Sequence, residues 1–358
     1  MNTVVDFARR RKAASYRLAI VLAAGIVGSL IFAAVSGHRA LSQPGPGAGS
    51  GVVFRVGYQG FNGAGILKAQ GTLEHDVAKK HATVQWLNFS AGPEMMQAMG
   101  TGNVDIGGAG DTVPIFAQAS GVPFVYIANS PVTKTGIAVL VRAESPISKV
   151  SDLKGRRVAL VKGSGSHYFF VQALERAHVN YSDILPVYLT PSDAFAAFAS
   201  GKIDAWVTWD PYIALAKQKL KSRVLVDQTG IPSNGGFVVA SKKLATEHPE
   251  LIAVYLDDSL KSAEWSKKQP AKAIDLLIKS AGGLSRQTVS AQVQNGSDLQ
   301  YYPIDPRIIA LQQKEADEFY KLGVIGKRVD IRDSLLTRDQ YAKIALPRRN
   351  LARSEVGS

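Results

Sequence analysis

The chain states one pattern twice, and that repetition limits its fold more than any other feature. Thr101-Gly102-Asn103-Val104-Asp105 leads to Gly110-Asp111-Thr112-Val113-Pro114-Ile115, and 99 residues later Ser200-Gly201-Lys202-Ile203-Asp204 leads to Trp209-Asp210-Pro211-Tyr212-Ile213. The step between the two aspartates is six residues in both copies. The helix ahead of each copy matches as well, with Met96 and Met99 standing where Phe195 and Phe198 stand in the second. Upstream, Arg55-Val56-Gly57 runs into a glycine loop at Gly60, Gly63 and Gly65, and Arg157-Val158-Ala159 runs into Lys162-Gly163-Ser164-Gly165-Ser166-His167. Each copy reads as strand, small-residue loop, helix, strand, helix, strand, loop, helix. A duplicated α/β unit of this size predicts two similar lobes whose strand-end loops meet at a cleft.

A chain of 358 residues with 46% hydrophobic content has the material for two such lobes. Val52 to Tyr58, Thr83 to Phe89, Val104 to Gly107, Phe124 to Ala128, Gly136 to Arg142 and Gly236 to Ala240 read as strands. Ile66 to Lys80, broken near Gly71, and Glu94 to Met99 read as helices. From Lys242 to Gln294 the pattern changes to a succession of helices punctuated by His248-Pro249, Gln269-Pro270 and Gly282-Gly283, and Asp305-Pro306 opens a last amphipathic helix from about Arg307 to Leu322. The expected division is residues 52–138 and 241–345 for lobe I and 139–240 for lobe II, with the strands near Ile137 to Val141 and Phe237 to Ala240 as the hinge. Residues 346–358 read as a loose basic tail.

The N-terminus reads as an export element. Arg9-Arg10-Arg11-Lys12 and Arg17 precede an uncharged apolar stretch from Leu18 to about Ser36, and residues 37–51 form a Pro/Gly/Ser-rich linker. This fits a signal peptide over residues 1–36, cleaved after Ser36, and is also long enough for an uncleaved anchor with its basic flank in the cytoplasm. Cleavage is favoured, and both readings place the globular part outside, in the periplasm.

The net charge of +13 is swollen by the five basic residues and one acid of the first 36. The rest carries no basic stripe interleaved with aromatics, so nucleic acid is not an expected partner and the charge reads as a mild bias toward anions. The chain has no cysteine, which excludes disulfides, thiolate metal sites, thiol catalysis and a lipid-bearing cysteine. The six histidines are scattered without ligand spacing, so neither a metal nor a cofactor is expected.

Several loop residues have chemistry suited to a ligand. Ser164, Gly165, Ser166 and His167 stand between a strand and an apolar helix, where unpaired N–H groups and the helix dipole receive an anion; a serine N-cap is the plainer role for the same turn. Asp111 and Thr112 offer a second helix terminus, the aspartate by default as a cap and the threonine as a ligand donor. Two of the chain's four tryptophans fall within Trp206 to Trp209. Trp206 reads as core, while Trp209, at a strand end, can lie against an apolar part of a ligand. Asp210 followed by Pro211 is a helix start, with aspartate as N-cap and proline at the first helical position.

On these residues the chain resembles the periplasmic solute-binding proteins of ABC importers, and among them the aliphatic sulfonate family, related to the nitrate and taurine binders. The resemblance runs from about Phe54 to Leu335. It rests on Gly57-Tyr58-Gln59, Phe89-Ser90-Ala91-Gly92-Pro93, Gly110-Asp111 with Pro114 to Gln118, Lys162-Gly163 with Ser166-His167, Tyr188-Leu189-Thr190-Pro191, Trp206 with Trp209 to Tyr212, and Val329 to Arg332. It implies a two-lobed α/β type II periplasmic binding protein fold that closes over a small anionic ligand and docks, as a monomer, on a membrane permease. It further implies a ligand near Gln59, Asp111-Thr112, Ser164 to His167 and Trp209-Asp210, its head on Gln59, Thr112, Ser164, Ser166 and His167, and its carbon chain on Trp209 and Tyr58. Gly165 and Thr112-Val113 depart from the family pattern, which leaves alkanesulfonate, taurine, sulfate ester, nitrate and a thiamine precursor as ligand alternatives. The competing class is an enzyme on the same scaffold. A desulfinase of this kind relies on a cysteine nucleophile, which this chain lacks, and Ser166-His167 has no third partner in view.

Overall fold

The structure, a computed structural model, describes residues 51–344 except 60–62, 131–135, 232, 282–283 and 297–298. The expected export element, most of the linker and the basic tail lie outside the described residues. Among the described residues no helix is long and apolar enough to cross a membrane.

The first lobe begins β1 (Val52–Tyr58), α1 (Gly63–Gln70), α2 (Thr72–Ala78), β2 (Ala82–Asn88), α3 (Gly92–Gly100), β3 (Ile106–Gly110), α4 (Thr112–Ala119) and β4 (Phe124–Ser130). The chain then crosses to β5 (Ile137–Arg142), β6 (Arg157–Leu160), α5 (Gly165–Arg176), β7 (Leu185–Tyr188), α6 (Pro191–Ala199), β8 (Ala205–Trp209), α7 (Tyr212–Lys219) and β9 (Ser222–Asp227). It returns through β10 (Gly236–Ser241) and ends in helices α8 (Lys242–Glu247), α9 (Pro249–Lys268), α10 (Pro270–Ala281), α11 (Arg286–Gly296), α12 (Pro306–Lys321) and α13 (Arg338–Ile344).

The two sheets are built to one plan. Their strand orders are β2-β1-β3-β10-β4 and β7-β6-β8-β5-β9. In each, three parallel strands are followed by an inserted antiparallel strand that comes from across the hinge. The insertion corrects the expected division. β10 pairs with β3 and β4, so residues 236–241 belong to lobe I, and β5 pairs with β8 and β9 from Ile137 onward. The two strands expected as the hinge are therefore interior strands of the sheets, and the chain passes between lobes after Ser130 and after Asp227.

The repeated sequence pattern does the same job twice. Asp105 Oδ2 accepts the Arg55 N–H at 2.8 Å, and the Asp105 N–H returns to the Arg55 carbonyl at 2.8 Å. Asp204 and Arg157 repeat both bonds at the same distances. Each aspartate thus clamps the first strand, at mid-strand in lobe I and at its start in lobe II, to the approach to the third. Gly102 and Gly201, at φ 76° and 72°, end the preceding helices in the left-handed conformation that glycine adopts without strain. The N–H groups of Asn103 and Lys202 then close on the carbonyls of Ala98 and Ala197.

Four apolar layers fill the two sheets' faces. In lobe I, Phe54, Val56, Leu73 and Ile252 lie on one side and Met95, Met99, Tyr126 and Phe319 on the other. In lobe II, Phe170 and Leu174 lie on one side and Phe198 and Trp206 on the other. Trp206 is core, as its sequence position suggests. Proline starts α9, α10 and α12, where the missing N–H costs nothing, and the Asp305 carboxylate caps α12 through the Ile308 N–H at 2.8 Å.

Candidate functional site

The loops after β3 and β6 carry one terminus from each lobe to a common place. A Cβ on Gly110 would lie 3.5 Å from the Gly165 nitrogen, and one on Gly165 would lie 3.1 Å from Asp111 Oδ1. Glycine at 165 suits this close approach, because a side chain there would press on the carboxylate, which would have to give by a few tenths of an ångström. Behind this contact Phe116 of α4, His167 of α5 and Phe319 of α12 pack ring to ring, with centroids 5.0 to 6.0 Å apart.

Within the α5 turn, Ser164 stands at the N-cap position but does not cap. Its Oγ donates to the Val161 carbonyl at 2.8 Å and lies 2.8 Å from Ser166 Oγ, and both serines are buried. The first N–H groups of α5 therefore have no side-chain acceptor from the N-cap, which leaves the dipole's positive end for an incoming anion. His167, expected among the ligand donors, is 0% exposed. Its Nδ1 accepts the Gly163 N–H at 3.2 Å, which fixes the other nitrogen, 2.8 Å from Tyr181 Oη, as the N–H donor. Burial, then the Lys162 charge, lowers its pKa to about 3, so the ring is neutral.

On the facing side Asp111 caps α4 through the Thr112 N–H at 2.9 Å and is itself held by Ser233 Oγ at 2.8 Å and the Asn234 N–H at 3.1 Å. Thr112, also expected as a ligand donor, is 0% exposed, and its hydroxyl lies 2.5 Å from Glu315 Oε1. The two repeated aspartates each hold the entry to an inserted strand. Asp111 N–H donates to the Gly235 carbonyl at 3.1 Å and Asp210 N–H to the Gly136 carbonyl at 3.0 Å, in each case the residue just before the inserted strand. Burial raises the pKa of both carboxyls.

Trp209 is half-buried at the end of β8, edge-on to Tyr212 with ring centroids 6.0 Å apart. Asp210 Oδ1 accepts the Ala214 N–H at 3.3 Å, but α7 begins at Tyr212, so Pro211 precedes the helix rather than opening it, and the Asp210–Pro211 peptide is cis. Gln59 is half-buried just past β1. Tyr58 is drawn elsewhere: its ring lies edge-on to Trp86 at 5.5 Å and its hydroxyl 2.6 Å from Lys68 Nζ.

The structure thus gathers Asp111, Thr112 and Ser164 to His167, with Tyr58 turned to its own sheet's flank. It also adds partners that no local motif announces: Ser233 and Asn234 from the second crossing, and Gln312 and Glu315 from α12. Gln312 and Glu315 could have been noticed as polar residues on the same helical face as the buried Ala316 and Phe319. Among the described residues no cluster of His, Asp or Glu is arranged to hold a metal.

Comparison with known proteins places this geometry. Residues 87–273 match the model of the family described as NMT1/THI5 like. A protein of Escherichia coli (strain K12) named as an aliphatic sulfonates-binding protein is 37% identical over 283 residues, covering 79% of this chain and 88% of its own. The structure of the alkanesulfonate-binding protein SsuA from Xanthomonas axonopodis pv. citri, bound to MOPS, superposes with a TM-score of 0.75 at 31% identity, over 80% of this chain and 98% of that one. The periplasmic aliphatic sulphonate binding protein SsuA from Escherichia coli superposes with a TM-score of 0.71 at 36% identity, over 82% of this chain and 100% of that one. The shared plan is the two-lobed binding-protein fold with its cleft between the sheets. By this family match and these similarities, the chain belongs to the NMT1/THI5-like family and groups within it with the aliphatic sulfonate-binding proteins.

Proposed function

We propose that this protein is the solute-binding component of an ABC importer, capturing aliphatic sulfonates outside the inner membrane and delivering them to a permease. The observation that carries the reading is the meeting of two helix termini from opposite lobes at Gly110 and Gly165, with the α5 terminus free of a side-chain cap. A sulfonate is a permanent anion, and neutral donors at such a terminus bind it without a counter-charge that would have to be desolvated. In this reading Ser164, Gly165, Ser166 and Gln59 face the head group, and Trp209 lies along the carbon chain with Asp210 beside it. Asp111, Thr112 and His167 hold the turns from behind, and Tyr58 stands at the margin. Binding favours the closed state by the difference in affinity between the two states. The protein acts without catalysis, a view supported by the names of its relatives as binding proteins and by a sequence with no cysteine for desulfinase chemistry, and in this proposal it acts as a monomer. Export to the periplasm, with cleavage after Ser36, completes the proposal.

Thermal shift tests it, since a ligand that binds only the native state raises the melting temperature. The panel is ethanesulfonate, MOPS, taurine, sulfate, nitrate and a pyrimidine precursor of thiamine. A rise with the sulfonates that is lost in Trp209→Ala and in the Ser164→Ala, Ser166→Ala double variant is the expected result. A rise with nitrate or the pyrimidine alone keeps the fold and overturns the substrate.

A further inference from the structure

Glu315 lies on α12, 203 residues from Thr112 in sequence, and is 0% exposed. Its Oε1 is 2.5 Å from Thr112 Oγ1, and its Oε2 accepts from Asn234 Nδ2 at 3.0 Å. The same threonine hydroxyl stands 3.5 Å from Asp111 Oδ1. Two buried carboxyl groups therefore flank one hydroxyl, and the donors on them are all neutral: a serine and a threonine hydroxyl, two backbone N–H groups and an amide. Among the described residues neither Asp111 nor Glu315 has an ion-pair partner within 4.0 Å. The titratable groups that face Glu315 are Asp111 at the start of α4, Tyr126 of β4, Tyr168 of α5 and Glu318 of α12 itself. None of them brings positive charge. Two carboxylates cannot both stay ionised in such a place, because each is desolvated and each repels the other.

We propose that Glu315 is a positioning residue kept as the neutral acid, and that its carboxyl O–H, donating a hydrogen bond to the Thr112 hydroxyl, ties the cleft turn Asp111–Thr112 to the second crossing segment Ser233–Gly235. A hydroxyl both donates and accepts. Glu315 gives its hydrogen to Thr112 Oγ1, and Thr112 turns its own hydrogen toward the ionised Asp111. Asn234 closes the ring, with its backbone N–H on Asp111 and its amide on Glu315. Burial first, and then the Asp111 charge, push the Glu315 carboxyl well above the usual carboxylate range, in agreement with this arrangement. A raised carboxyl pKa adds stability that is complete below the unfolded value and is lost as pH rises through the folded one. The latch therefore weakens on the alkaline side.

The proton itself is read without ligand. Infrared spectra of the protein at neutral pH are expected to show a protonated-carboxyl band that disappears in Glu315→Gln. Between roughly pH 5 and pH 9 the slope of melting temperature against pH in the ligand-free protein is expected to be more negative in the wild type than in Glu315→Gln, by up to about one proton's linkage, with the His167 contribution common to both. A band that persists in Glu315→Gln, or identical pH slopes, overturns the proposal. The positioning role is read by calorimetric titration with ethanesulfonate, and this arm rests on the sulfonate reading above. Glu315→Gln, which keeps a neutral donor, is expected to bind within about threefold of wild type, and Glu315→Ala at least about tenfold more weakly. Equal loss in both variants overturns the role of the neutral acid. If the wild type binds no sulfonate, the sulfonate reading fails, and the infrared and melting arms still decide the proton.

Discussion

The imidazole of His167 takes the Gly163 N–H on Nδ1 and faces Tyr181 with its other nitrogen, buried among rings from both lobes. Its folded pKa is depressed to about 3, so it contributes stability at neutral pH that is lost as pH falls below its unfolded value. Between pH 7 and pH 5 this one group is expected to remove about 2 kcal/mol of stability. Denaturant titrations of the wild type and His167→Gln at the two pH values check it: the variant starts less stable and has the flatter acid limb. At the neighbouring residue, Gly165→Val sets a side chain against Asp111. Because the lobes can part to relieve that pressure, the substitution is expected to weaken ethanesulfonate binding by at least about tenfold while moving the ligand-free melting temperature by only a few degrees, roughly. A large loss of stability in the free protein would instead place the contact in the fold's foundations.

Among the elements, the paired clamps Asp105–Arg55 and Asp204–Arg157 show most directly what the sequence repeat means. Each carboxylate bonds a backbone N–H on another strand, a charge-assisted bond worth about 1.5–3 kcal/mol. Asp105→Asn and Asp204→Asn are each expected to cost at the lower end of that range, since the amide retains an acceptor. The two lie in separate sheets and share no partner, so the double variant's loss in urea unfolding is expected to be the sum of the singles. Sequence periodicity located the strands well because a strand buried on both faces writes its apolar run locally, as in Phe124–Ser130, and because Gly102, Gly201, Pro249, Pro270 and Asp305 punctuate helices by local backbone chemistry. Pairing is not local. Nothing in Gly236–Ser241 says which sheet it joins, and the expected lobe boundary missed it. The same limit governs the site: Ser164 and Asp111 announce themselves by their turns, whereas Glu315 acquires its role only when α12 is laid against α4.

For the whole molecule, the cleft turns are tied to the inserted strands, since Asp111 and Asp210 each bond the residue that precedes one. A ligand that settles at Gly110 and Gly165 is therefore expected to slow amide exchange at Asp210, whose N–H bonds the Gly136 carbonyl, and at Asn234, whose N–H bonds Asp111, as well as in the turns, which hydrogen-exchange mass spectrometry with and without ethanesulfonate measures. Protection confined to the turns would separate the site from the inserted strands.

The inserted strands also set an order of assembly. Lobe II draws its whole sheet from the continuous stretch 137–227, but lobe I lacks its fourth strand until residues 236–241 have been made, and its outer helices come later still. A chain that leaves the ribosome N-terminus first thus holds the makings of its second lobe before its first can close. The N-terminal sheet stays open through most of synthesis, the state that the export proposed above would require if the chain is threaded through a translocation channel before it folds.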